Sequence, residues 1–211
     1  MRGLRAIVTW GLLLFVGLVA LQHPLRGDLP PGEHFVSEYA KGSTAALQVL
    51  AFAAWTVALA AGARLAWIAT PLVPRRRVAR TLAAFGLALA AAGIALAAVF
   101  ATQTIAGVLP PGMARTTEGR LHDFGTLLTL AGLLLAAGAS LRIVERRGYR
   151  VTIGLLFAAM VLSVPLLAAL GLDAPGIGQR VFLLVGCAFQ WRFATELGRV
   201  SPLFPPASAR A

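Results

Sequence analysis

The residues able to do chemistry in this chain stand in three short stretches. Ser37, Glu38 and Tyr39 occupy the first; Glu118, Gly119, Arg120, His122 and Asp123 the second; Gln179 and Arg180 the third. Arginine presents a planar fork of donors matched to carboxylate or phosphate. Arg120 and Arg180, with Glu38, His122 and Gln179 around them, therefore suit an anionic headgroup or a small anionic ligand. The ligand-binding set read from the sequence is Ser37, Glu38, Tyr39, Arg120, His122, Asp123, Gln179 and Arg180. No catalytic residue is assigned, and no metal or cofactor is expected.

Two other uses of these residues compete. Glu38 and Asp123 would gain roughly 0.3–1 kcal/mol at helix N-termini, with Arg120 and Arg180 as purely structural partners. If a helix begins before Glu118, then Glu118 and His122 share a face at i, i+4. Alternatively, His23, His34 and His122 would ligate zinc in an intramembrane metal-dependent hydrolase, with Asp123 or Glu118 as fourth ligand or base. Their spacing matches no compact ligand motif. The chain also lacks a G-x-S-x-G elbow, an H-E-x-x-H pair and a phosphate-cradling glycine loop.

These stretches sit in loops of a repeated pattern. Leu29-Pro30-Pro31-Gly32 leads to Ser37-Glu38, and Leu109-Pro110-Pro111-Gly112 leads to Thr117-Glu118, so L-P-P-G-x4-[S/T]-E occurs twice, 80 residues apart. Each copy lies between long apolar runs, as a duplicated unit of helix, polar loop and helix would. The segment Leu172-Asp173-Ala174-Pro175-Gly176 is a third, degenerate version. The apolar runs place helices at about 6–21, 44–70, 81–105, 122–143, 151–170 and 179–196, close to the roughly 20 residues that cross a bilayer. Ser43 or Thr44 is a candidate N-cap for the second. The expected fold is all-α: a polytopic bundle of six transmembrane helices in three hairpins, over 1–199, with a flexible cytoplasmic tail at 200–211. A cleaved signal peptide competes for the first run, but no good small-x-small cleavage site follows it.

Composition agrees. Of 211 residues, 58% are hydrophobic and 13% charged, too apolar for an ordinary soluble domain. A net charge of +11 would suggest nucleic acid in a soluble protein. Here it follows from basic residues retained in cytoplasmic connections, and no nucleic-acid partner is expected. Membrane lipids are the expected surroundings. Cys187, the single cysteine, has no partner for an intrachain disulfide.

Charge asymmetry also sets orientation. With the termini and the second and fourth connections inside, only Arg26, Lys41, Arg115, Arg120 and Arg180 of the 19 basic residues fall outside. Asp28, Glu33, Glu38, Glu118, Asp123 and Asp173 lie outside with all three histidines, while Glu145 and Glu196 lie inside. Both ends are then cytoplasmic in a bacterial inner membrane. Ionisable groups are absent from mid-membrane depth, which argues against an ion-coupled transporter. Any chemistry belongs to an outward polar cup. A third role, as a partner for another membrane protein, rests on small residues such as Gly86, Ala90, Gly93, Ala97, Gly132 and Gly138, which permit close helix approach within the bundle or between chains.

The segments HFVSEYAKG, GRLHDFG and GIGQR, in that order, resemble the membrane family designated domain of unknown function 998. The likeness spans nearly the whole chain and implies a six-helix integral membrane protein without an assigned activity. Ser37, Glu38, Tyr39, Gly119, His122, Asp123, Gln179 and Arg180 match its recurring polar positions. Relatives are expected to carry an acid near the end of the third helix, where this chain has Ala101-Thr102-Gln103.

Overall fold

A computed structural model describes residues 1–70, 74–172 and 174–200. Six helices carry the fold: α1 (Arg2–Leu25), α2 (Ala45–Ala69), α3 (Pro74–Val99), α4 (Thr117–Ile143), α5 (Arg147–Ala169) and α6 (Pro175–Val200). Two 3-10 turns, Val36–Ala40 and Gly42–Thr44, lead into α2. Among the described residues, four helices are long and apolar enough to cross a membrane: Arg2–Leu25, Gly42–Ala69, Arg76–Val99 and Thr117–Ile143. The chain is thus compatible with a multi-pass membrane protein. α5 and α6, at 23 and 26 residues, are not among the four. α6 carries Gln179, Arg180, Gln190, Arg192 and Glu196, which dilute its hydropathy.

Helix boundaries differ from the expected ones mostly at polar ends. α3 begins at Pro74 and stops at Val99, so the basic run is helical and 100–105 belongs to the following loop. A proline is tolerated in the first turn, where its missing N–H would have no partner. α4 starts at Thr117 rather than at His122, because Thr116 caps it by accepting from the Gly119 N–H at 3.2 Å. Thr44 does precede α2, but its hydroxyl donates to the Tyr39 carbonyl at 2.9 Å instead of capping the helix. The Pro71 break, Asp173 and the proline-rich tail from 201 onward lie outside the described residues.

α3 packs most intimately on α4, α2 lies between α1 and α3, and α6 touches α5, α1 and α2. The α3–α4 contact is backbone on backbone. A Cβ on Gly86 would lie 2.6 Å from the Gly132 carbonyl oxygen, and one on Gly125 would lie 2.6 Å from that of Gly93. Both glycine pairs are seven residues apart along their helices, so they recur on one face every two turns. Gly138 takes no part, having open space where a Cβ would be. The interior is filled by Phe15, Trp55, Phe189 and Phe193, with Phe15 stacked on Trp55 at 4.7 Å between ring centroids. Large apolar side chains such as Trp10 (70% exposed) and Leu155 (66% exposed) face outward, as side chains that meet lipid do.

Polar glutamines punctuate this interior. Gln22 Nε2 donates to Gln48 Oε1 at 2.9 Å, and Trp55 Nε1 donates to Gln190 Oε1 at 3.2 Å. Glu196, fully buried, meets Arg146 at 3.1 Å, Arg192 at 3.2 Å and Arg199 at 2.9 Å. Those three arginines neutralise a carboxylate that would otherwise be costly to bury.

Candidate functional site

Glu38 is the most heavily partnered group among the polar loops. The first 3-10 turn buries it to 2% exposure. Its carboxylate accepts from the Phe35 N–H at 3.2 Å, as an acid three residues into a helical turn does. It also accepts from His34 Nδ1 at 2.6 Å, Ala106 N at 3.1 Å and Gly107 N at 3.3 Å. The last two come from the α3–α4 loop, where Ile105 and Val108 form a two-residue antiparallel turn. Ala106 and Gly107 both have positive φ, 50° and 76°. That conformation costs a residue with a Cβ roughly 1–2 kcal/mol. It aims two successive N–H groups at one anion, and charge-assisted hydrogen bonds to a buried acceptor offset the strain.

Arg180 does the same service for the opposite sign. From the second turn of α6 its Nη1 donates to the carbonyls of Pro31 (2.7 Å), His34 (2.8 Å) and Gly176 (3.0 Å). Nη2 donates to the Tyr39 hydroxyl at 2.8 Å and Nε to His23 Nε2 at 3.0 Å. Arginine has donors only, so His23 Nε2 is the lone-pair acceptor and its imidazole is neutral. Gly176 lets the first loop lie directly on α6: its N–H donates to Gly32 O at 3.0 Å, and a Cβ there would lie 2.5 Å from His34 O. Gln179 Oε1 accepts from Val36 N at 2.6 Å. Lys41 reaches the α3–α4 loop through Thr104 O at 2.9 Å, and burial lowers its pKa, partly opposed by Glu38. At the rim, Arg26 grips Asp28 at 2.7 Å and holds it below the usual carboxylate range.

Two spaces adjoin this network. A cavity of about 30 Å³ lies among α2, α3, α4 and α6, with Ser37, His122, Thr126, Thr129 and Gln179 as its polar lining and Phe52, Ile94 and Phe182 among its apolar one. That is room for a water molecule. Ser37, His122 and Gln179, one residue from each predicted stretch, meet here. His122 Nδ1 donates to the Phe100 carbonyl at 2.8 Å. The second space is a groove of about 200 Å³ between α1 and α6. Phe15, Val16, Val19, Ala20, Leu183 and Leu184 line it, and His23 and Arg180 close its end.

Glu38, Tyr39 and Arg180 thus belong to one hydrogen-bonded cluster, and Ser37, His122 and Gln179 to the cavity beside it. Arg120 and Asp123 stand apart. Arg120 is exposed, and Asp123 pairs with Arg115. Glu118 is exposed although His122, one turn on, is buried. Gln103, at the position where an acid was expected, accepts from Thr116 N at 2.8 Å and so ties the loop to the start of α4.

Several participants were not singled out from the sequence as members of this set: His23, His34, Lys41 and the Ala106–Gly107 amides. The Ala-Gly pair two residues before Leu-Pro-Pro-Gly was a turn signal of the available kind. Among the described residues, no three His, Cys, Asp or Glu side chains are gathered so that they could hold a metal ion. His23, His34 and His122 each face a different partner, so the zinc-hydrolase alternative has no ligand shell to rest on.

The family model for a protein of unknown function, DUF998, matches residues 9–195. The chain belongs to the DUF998 family. The match runs from α1 almost to the end of α6 and so takes in the first loop, the α3–α4 loop and the start of α6. Neither a curated protein nor a solved structure matches the chain.

Proposed function

We propose that this DUF998 member is a six-span, non-catalytic protein of the bacterial inner membrane that binds a lipid headgroup at its loop-bearing end. α5 and α6 complete three hairpins, both termini lie on the arginine-rich cytoplasmic side, and the three polar connections face outward. The observation that carries the ligand reading is the α1–α6 groove: an apolar trough that ends on the Arg180–His23 pair. A lipid needs that pairing of surfaces, hydrocarbon against hydrocarbon and an anionic head beside a cation. Arg180 already donates to five oxygen or nitrogen atoms. Its role is therefore to supply charge and to order the first loop, with the headgroup drawn to the rim.

Retention of phospholipid by the purified protein, read by native mass spectrometry, tests this. Ala20→Trp fills the groove from an exposed position and is expected to strip bound lipid while leaving the fold intact. Arg180→Lys keeps the charge but breaks the fork, and is expected to weaken retention further and loosen the first loop. Unchanged lipid retention in Ala20→Trp would sink the proposal.

A further inference from the structure

The opposite end of the bundle holds a larger groove, of about 560 Å³, where the basic ends of α3 and α4 meet the start of α5. Its floor is apolar and includes Leu82, Leu134 and Gly138; its rim carries Arg76, Arg142 and Arg150. Arg76 pairs with Glu145 at 2.8 Å. Arg142 and Arg150 are exposed, and among the described residues neither guanidinium has an ion-pair or hydrogen-bond partner, the Arg150 backbone N–H donating to Arg146 O at 3.1 Å. That contrasts with Arg146 and Arg199 close by, which both bind Glu196. Two guanidinium groups without counterions, above a trough of hydrocarbon, make a surface whose complement is amphiphilic and negative. Gly138 deepens the trough, since nothing lies within 4 Å of where its Cβ would stand.

We propose that this groove holds one anionic phospholipid, its phosphate between Arg142 and Arg150 and an acyl chain against Leu82, Leu134 and Gly138. The site is independent of the α1–α6 groove and takes its lipid from the other leaflet. Guanidinium donors match phosphate oxygens, and arginine at the membrane surface attracts anionic lipid. An uncharged or zwitterionic lipid would gain the trough without satisfying the rim, so the site selects by headgroup charge.

The test is a titration of delipidated full-length protein with phosphatidylglycerol or phosphatidylcholine, bound lipid being counted by native mass spectrometry. Wild type is expected to hold phosphatidylglycerol more tightly. The double variant Arg142→Gln/Arg150→Gln is expected to lose about thirtyfold in phosphatidylglycerol affinity, with phosphatidylcholine unchanged. Gly138→Trp fills the floor and is expected to weaken both lipids. Ala20→Trp, in the other groove, is expected to leave this headgroup preference intact. Equal affinity of wild type for the two lipids, an unaltered preference in the double arginine variant, or uptake of inorganic phosphate without phosphatidylglycerol would each overturn the site.

Discussion

The two L-P-P-G loops begin alike and end differently. In both, the first proline of the pair accepts the turn-closing bond: Glu33 N donates to Pro30 O and Met113 N to Pro110 O, each at 3.1 Å. Thereafter Ser37-Glu38 is buried, while its counterpart Thr117-Glu118 is exposed. Gly112 takes positive φ, 78°, as a Pro-Gly type II turn requires. In the first loop the turn tightens instead, because His34 N also donates to Pro30 O at 3.0 Å. Contacts brought by other elements account for the divergence. The first loop lies on the start of α6 and against the Ala106–Gly107 turn, whereas the second runs straight into a capped helix. One motif supplies a turn, and the neighbours decide whether its acid becomes a structural hub or a surface charge.

Replacing the two acids gives the largest contrast. Glu38→Ala leaves three backbone N–H groups and His34 without their acceptor, an expected loss of roughly 3 kcal/mol or more. Glu118→Ala is expected to stay within about 0.5 kcal/mol of wild type. Thermal unfolding in detergent compares them, and equal effects would abolish the distinction. Next comes Gly176→Ala, which drives a Cβ into the first loop's carbonyls and is expected to cost about 2 kcal/mol. Gly112→Ala meets no atoms, only an unfavourable φ, and is expected to cost about 1 kcal/mol. A reversed order in unfolding midpoints would show that the first loop does not rest on α6 as described.

Ala106→Gly should move the other way. It removes the left-handed strain but loosens the unfolded chain, for an expected net gain of a few tenths of a kcal/mol. Combined with Glu38→Ala, that gain should shrink, because Ala106 is no longer held in the left-handed region and relaxes by itself; a strictly additive double variant would count against the coupling.

The smallest effect is one of pH. Asp28 titrates below the ordinary aspartate value of about 3.9 because Arg26 binds its charged form. Its contribution is complete above that value and disappears as pH falls through the lowered one. Hydrogen exchange of residues 26–44 should therefore quicken in strong acid, and Asp28→Asn should remove that part of the pH dependence while leaving residues 112–120 unchanged.

The helical character of the chain was legible because apolar runs near bilayer length have few other solutions; the small residues of α3 and α4 could be read as permitting close approach, but Gly138 among them faces open space and Gly125, which makes the contact, was not among them. Glu38, Tyr39 and Arg180 were singled out by their places before or at helix entrances, together with Ser37, Arg120, His122, Asp123 and Gln179, but their mutual wiring was not legible. Glu38 is held chiefly by backbone amides, which every residue carries and no sequence pattern advertises. Arg120 and Arg180 looked equivalent at helix entrances. Arg180 is half-enclosed by loop carbonyls and Arg120 faces outward, because the first loop folds over α6.

Hydropathy and charge by themselves determined that this chain is helical, membrane-compatible and polar at its connections, since those properties add residue by residue. The tertiary structure decided which acid is buried, which arginine is enclosed and where grooves open beside cations. Each of those depends on segments far apart in the chain meeting at hydrogen-bonding distance, a condition that no local pattern encodes.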